Sequence, residues 1–116
     1  MCGDRNWDDE EAIETFFQNH PEITEVIEGG ASGADTMARH AAEFLGIPVK
    51  EYKATWEKYG RAAGPIRNRQ MLDEKPDLVV AFHHDLSKSK GTKDTVTEAR
   101  KRGIPVKVIG ERGGGW

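Results

Sequence analysis

The chain has 116 residues, with 17 basic and 20 acidic side chains, a formal net charge of −3 and one cysteine. That length fits a single domain, which buries roughly two-thirds of its extended-chain surface and needs no disulfide or metal staple. The mixed, slightly acidic charge argues against a surface built mainly to grip nucleic-acid phosphates. Cys2 alone excludes an internal disulfide, and no apolar run is long enough to span a bilayer.

In chain order, "MCGDRNW" reads as the turn after a strand, although almost no strand precedes it. A helix is expected from about Asp8 to Gln18, with Asp8 and Asp9 at its N-terminus and Ile13, Phe16 and Phe17 on one face. "ITEVIEG" follows as a strand, then the turn "GGASGAD" and a helix from Ala34 to Leu45 that stops at Gly46 with Pro48 beyond. "PVKEY" is a second strand. "KATWEKYGRAAG" has no clean period and reads as a long loop, and a third helix starts at Pro65 and passes through Met71 and Leu72. "DLVVAFH" is continuously apolar, as a central parallel strand should be. "SKSKGT" leads into a helix over Thr92 to Arg102, and "PVKVIG" is the last strand. Residues 1–110 are expected to form one domain, with 111–116 a flexible tail. The alternation of helices and short apolar strands implies a mostly parallel sheet covered on both faces.

Such sheets bind ligands beyond the carboxyl ends of their strands. Four segments fall there: "CGDRNW", "GGASGAD", "HHDLSKSKGT" and the loop into "GPIRNRQM". Three of them feed helix N-termini, whose free N–H groups and dipole attract anions. Gly29, Gly30 and Gly33, with Ala31 and Ser32 between them, suit a phosphate. The spacing of Ser32 and Asp35 equally fits a capping box that simply starts the helix. Ser89, Gly91 and Thr92 supply small donors before a helix, although a solvated loop explains the neighbouring lysines as well. Arg67 and Arg69 near a helix N-terminus are unfavourable for the dipole, which makes sense for Arg67 if it faces an anion, with Asn68 beside it. The alternative is a simple ion pair with Asp73 or Glu74.

Asp4 and Arg5, beside Gly3, suit a ribose hydroxyl and a phosphate. Trp7, Trp56 and Tyr59 are candidates either for base stacking or for ordinary packing. His83 and His84 are strand neighbours that point to opposite faces, so they do not form a metal site, and no other metal spacing occurs. Neither a P-loop nor a G-x-G-x-x-G fingerprint is present, and no cofactor is expected.

"CGDRNW", "GGASGADTMA", "ATWEKYGRAAGPIRNRQML", "DLVVAFH", "SKGTKDTV" and "GIPVKVI", in this order, resemble the YspA-like SLOG family. That family belongs to the wider superfamily of DprA (Smf) and LOG proteins, and the match covers nearly the whole chain. The resemblance implies a Rossmann-like three-layer α/β sandwich in a phage or bacterial cytoplasmic protein. It also implies a nucleotide or nucleotide-derived ligand, such as an ADP-ribose-type molecule, held as by a sensor. In that reading Gly30 to Gly33 and Gly91 to Thr92 hold phosphate, Arg67 is the cation, and Asp35 or Asp4 takes a hydroxyl. Trp56 and Tyr59 close over the base, with His83, Asn68 and Ser89 nearby. A homo-oligomer, dimer or higher, is expected, with no membrane or nucleic-acid partner.

LOG relatives are phosphoribohydrolases with a catalytic arginine and glutamate. "RNRQM" keeps the arginine as Arg67, the catalytic candidate if the protein is an enzyme, but Thr95 stands where the glutamate belongs. Threonine cannot stabilise an oxocarbenium ion or activate water as a carboxylate does, so binding is favoured over hydrolysis. DprA relatives bind single-stranded DNA, but "GGASGAD" has serine where their turn has arginine. The family's first strand, central in the sheet, is represented by Met1 alone ahead of the C-G turn. It is therefore expected to be missing or truncated, with ladder groups left for another segment or subunit to fill.

Overall fold

The computed structural model describes residues 1–4, 6–31, 33–84 and 89–110. Arg5, Ser32, Lys88 and the 111–116 tail lie outside them, so the expectations placed on those residues are not addressed by the structure. The described elements run β1 (Cys2–Gly3), α1 (Glu10–Asn19), β2 (Val26–Glu28), α2 (Ala34–Phe44), β3 (Val49–Glu51), α3 (Trp56–Tyr59), α4 (Ala63–Asp73), β4 (Val79–Phe82), α5 (Lys90–Lys101) and β5 (Val106–Ile109).

All strand pairs are parallel. They form a three-stranded sheet in the order β1-β4-β5 and a two-stranded sheet of β2 and β3. The Met1 amine donates to the Ile27 carbonyl and joins the two sheets edge to edge. Read across that bond the order is β3-β2-β1-β4-β5, the doubly wound arrangement whose direction reverses between β1 and β4. The first strand is thus present as the two residues Cys2 and Gly3.

Strand β4 shows why the layers form. Its side chains alternate, with Val80 and Phe82 in the cluster that includes Ile13, Phe16, Ala38 and Ala42 of α1 and α2. Val79 and Ala81 join Leu72, Val96 and Ala99 of α4 and α5 on the other side. Both faces are apolar, so the strand reads as one unbroken hydrophobic run. Phe82 is fully buried and meets Trp7 at 5.8 Å and Phe16 edge-on at 6.2 Å between ring centroids. Trp7 is a core residue, its indole N–H donating to the Asp9 carbonyl.

One expectation about local structure changes. The segment expected to be a loop contains α3 and a 3₁₀ turn over Gly60–Ala62 that leads directly into α4. A four-residue helix shows only one turn of periodicity, too little to register as a pattern. The Ser32 half of the supposed capping box lies outside the described residues; Gly33, at φ +71°, is the residue before α2, and Asp35 reaches back to the turn, as described below. Asp9 does cap α1, accepting from the Ala12 amide at 3.1 Å, and Ser89 caps α5, accepting from Thr92 at 3.3 Å.

Candidate functional site

At the carboxyl ends of β1 and β4, where the strand order reverses, lies a cleft of about 400 Å³. Gly3 and Asp4 line it from the end of β1, Ala31 and Asp35 from the β2–α2 turn, and Arg67 and Asn68 from α4. His83 contributes from the end of β4, and Ser89, Gly91 and Thr92 from the start of α5. Residues separated by most of the chain are thereby brought to one edge of the sheet.

Close backbone approach explains the glycines. A Cβ on Gly3, at φ +154°, would stand 2.4 Å from the Phe82 carbonyl oxygen, so this crossing between β1 and β4 requires glycine. Beyond it, Asp4 is committed to shaping its own turn. Its backbone N–H donates to Phe82, its carbonyl accepts from Trp7 and Ala34, and its carboxylate accepts from the Asn6 amide at 2.9 Å.

The amides of the glycine turn face carboxylates of the same chain. Asp35 Oδ2 accepts from the Gly29 and Ala31 amides at 3.2 and 3.3 Å, and a Glu28 carboxylate oxygen accepts from Gly30. The negative charge that this turn attracts is therefore supplied from within. Three of the amides that the sequence suggests for phosphate are already engaged. Among the described residues, neither carboxylate's second oxygen, Asp35 Oδ1 and Glu28 Oε1, has a hydrogen-bond partner, and both are buried. Burial pushes the Asp35 carboxyl above the usual carboxylate range, against the lowering effect of the Met1 ammonium, the turn amides and Arg67. Burial likewise pushes Glu28 up to about 6, with the nearby Asp35 and Glu51 charges adding to it. Glu28 is fully buried and is the participant that sequence reasoning missed. A glutamate closing an apolar strand before two glycines reads as a solvated strand end.

Arg67 holds the turn from the other side. Its Nη1 donates to the Gly29 carbonyl at 2.7 Å and its Nε to Asn68 Oδ1 at 3.0 Å. These bonds hold the guanidinium on a fixed support at the cleft, with further N–H groups able to meet a ligand. Asn68 is buried and ties α4 to α5, its amide donating to the Gly91 carbonyl and to Asp94. Arg69, in contrast, is exposed and turned toward Asp94 and Glu98, each 3.8 Å away. It pairs as the simple alternative supposed, although with acids of α5 rather than Asp73 or Glu74.

Thr95 is buried, and its hydroxyl donates to the Gly91 carbonyl one helical turn back. Asp94 and Glu98 are drawn away from the cleft by Asn68, Arg69 and Arg102. Among the described residues, the carboxylates lining the cleft are Asp4 and Asp35. His83 lines it too, whereas His84 turns the other way, its ring 4.7 Å from Trp7 and its Nδ1 2.8 Å from the Gly110 carbonyl oxygen. Among the described residues, no group of three or more histidine, cysteine or carboxylate side chains is placed to hold a metal. Cys2 is buried and its thiol pushed up to about 12 by desolvation, so it is not a nucleophile at neutral pH.

Trp56 and Tyr59 are not brought into this cleft. Both stand exposed on α3, Trp56 against Gly64. Gly29, Gly30 and Gly33 shape the turn from behind its lining. Among the described residues, no helix is long and apolar enough to cross a membrane.

Comparison with known proteins agrees with this architecture. The chain is 34% identical over 121 residues to the "Gene 61 protein" of Mycobacterium phage D29, an alignment covering 97% of this chain and 95% of that protein. No solved structure matches. The family model described as YAcAr, the YspA, cpYpsA-related SLOG family, matches residues 1–59, which span the C-G turn, the glycine turn and its Asp35 latch, and the chain belongs to that family.

Proposed function

We propose that the cleft binds the phosphate and ribose of a nucleotide or nucleotide-derived ligand and holds it unchanged. The observation that carries this reading is Arg67, fixed by Gly29 and Asn68 and lining the same cleft as the first turn of α5. Because Asp35 and Glu28 occupy the glycine-turn amides, we place the phosphate between Arg67 and the amides at Lys90 and Gly91 rather than on Gly30. A ribose hydroxyl is then taken by Asp4, which lines the same cleft. Calorimetric titration with adenosine, adenosine 5′-monophosphate and ADP-ribose tests the proposal: the two phosphate-bearing ligands should bind at least ten times more tightly than the nucleoside.

One observation favours a second reading. A buried carboxyl with a raised pKa in a cleft is a general-acid candidate, and Asp35 has both properties. A hydrolase of the phosphoribohydrolase type would use Arg67 to bind phosphate and Asp35 to protonate the departing base. Release of free adenine from the monophosphate, followed by chromatography, separates this reading from simple binding. Self-association into a dimer or higher oligomer belongs to the proposal as well and is read from light scattering.

A further inference from the structure

A single peptide group joins Glu28 to Arg67. The Gly29 carbonyl accepts from Arg67 Nη1 at 2.7 Å, and the Gly30 N–H, the other end of the same peptide, donates to a Glu28 carboxylate oxygen. On either side of that peptide, the Gly29 and Ala31 amides donate to Asp35 Oδ2 at 3.2 and 3.3 Å. Two carboxylates and one guanidinium are therefore held by three consecutive residues. Hydrogen bonds in such a chain polarise one another, so a change of charge at one end is felt at the other.

Glu28 is fully buried and Asp35 nearly so, which leaves little water to screen the two acids from each other. Among the described residues, the charges around them come from four elements. Glu51 at the end of β3, with Lys53 just beyond, stands at Gly30, where a Cβ would come within 2.5 Å of the Glu51 carboxylate and 3.1 Å of the Lys53 stem. Arg39 of α2 reaches Glu51 at 3.9 Å and also acts on Glu28. Arg67 of α4 and the Met1 ammonium ahead of β1 act on Asp35, beside the buried Cys2 thiol. Burial raises both carboxyls, and the charges of Asp35 and Glu51 raise Glu28 further. Glu28 Oε1 and Asp35 Oδ1, buried without a partner among the described residues, are the oxygens open to a proton.

A phosphate seated at Arg67 adds a third negative charge to this group. It draws on the guanidinium that offsets Asp35, and through the Gly29–Gly30 peptide it weakens the support of Glu28. Both effects make the acids hold a proton more tightly. We propose that phosphate binding at Arg67 is coupled to uptake of a proton by the Glu28–Asp35 pair, so that the cleft binds its ligand more tightly as the medium acidifies. This inference rests on the phosphate reading of the cleft. One proton passes from solvent to a carboxylate oxygen as the ligand binds, and it belongs to the pair rather than to either acid. Glu28 does not line the cleft and acts through the peptide, as a positioning residue. The coupling is reciprocal: the factor by which the proton favours the ligand is the factor by which the ligand favours the proton.

The test is calorimetric titration of the intact chain and of Glu28→Gln with adenosine 5′-monophosphate, in buffers of differing ionisation enthalpy that count the protons taken up. The ligand's own phosphate step, at about pH 6, is common to both proteins and cancels in the difference. From about pH 7.5 to about pH 5.5, the parent should gain at least roughly threefold more affinity than Glu28→Gln and take up more protons. The variant should still bind the monophosphate at the upper end of that range. Carboxyl ¹³C NMR of the parent gives a reading that needs no variant: the Glu28 midpoint should rise by about half a unit or more when the ligand is bound. Absence of binding at every pH removes the phosphate reading and the coupling with it. Binding with the same pH dependence in parent and variant, or with an unmoved Glu28 midpoint, overturns the coupling alone.

Discussion

Arg67 Nη1 lies 2.7 Å from the carbonyl oxygen of Gly29, a residue 38 positions earlier in the chain. This contact joins α4 to the glycine turn and sets the direction of the guanidinium. Replacement of Arg67 by alanine is expected to weaken phosphate-bearing ligands by about 10- to 100-fold, the loss of one charge-assisted pair of roughly 1.5–3 kcal/mol. Adenosine affinity should change by less than about twofold on the same basis, since it offers no charged oxygen to Arg67. Equal losses for both in calorimetry would remove Arg67 from the phosphate role.

Gly29 offers a subtler perturbation of the same contact. A Cβ there would stand 2.5 Å from Arg67 Nη1, the far end of a flexible side chain. Gly29→Ala should therefore displace the guanidinium while costing little stability, within about 1 kcal/mol. Phosphate-ligand affinity should fall and the melting temperature should change by only a few degrees. A large melting loss with unchanged affinity would mean that the turn, not the arginine, absorbs the added methyl group.

The Asp35 latch makes the opposite kind of prediction. Its carboxylate takes two turn amides, and Asp35→Ala leaves both without an acceptor, at about 1–3 kcal/mol each where buried. Thermal or urea unfolding should show a loss of roughly 2–4 kcal/mol, allowing for water reaching the vacated space. An unchanged midpoint would show that the turn holds its shape without this carboxylate.

How much of this was legible in the sequence follows from the range of each interaction. The β4 run and the end of α5 announce themselves locally, through continuous apolar residues and through Gly103 with Pro105 beyond. Arg67 could be picked out because a cation near a helix N-terminus is locally unfavourable. What Asp35 does was not readable: a capping box and a latch onto the preceding turn need the same short acidic spacing. Only the tertiary path of Gly29 to Ala31 brings those amides to the Asp35 carboxylate. The burial of Glu28 depends on its neighbours across two elements, and the position of Trp56 depends on a helix of one turn. The two-residue β1 is likewise defined only by its partner, β4.

Glu28 gives the fold a pH signature. Its carboxyl is raised from 4.5 to about 6 on folding, so the folded state binds the proton more tightly than the unfolded chain. Its contribution is therefore full below pH 4.5 and declines as pH rises toward 6, by roughly 1–2 kcal/mol in all. Asp35, also raised, acts in the same direction. Glu28→Gln keeps an acceptor for the Gly30 amide but no titrating group. It should flatten that part of the stability–pH curve and gain relative stability above pH 6. An identical curve for variant and parent would place the Glu28 carboxyl in the ordinary range.

The most direct test of the phosphate-binding cleft is a ¹H–¹⁵N NMR titration with adenosine 5′-monophosphate. The largest saturable shifts are expected at the backbone amides of Lys90 and Gly91 and at the Arg67 side-chain Nε–H. Shifts centred instead on the separate groove that Glu14 of α1 and Met37 and Phe44 of α2 line, or no saturable shift at millimolar nucleotide, would contradict that placement.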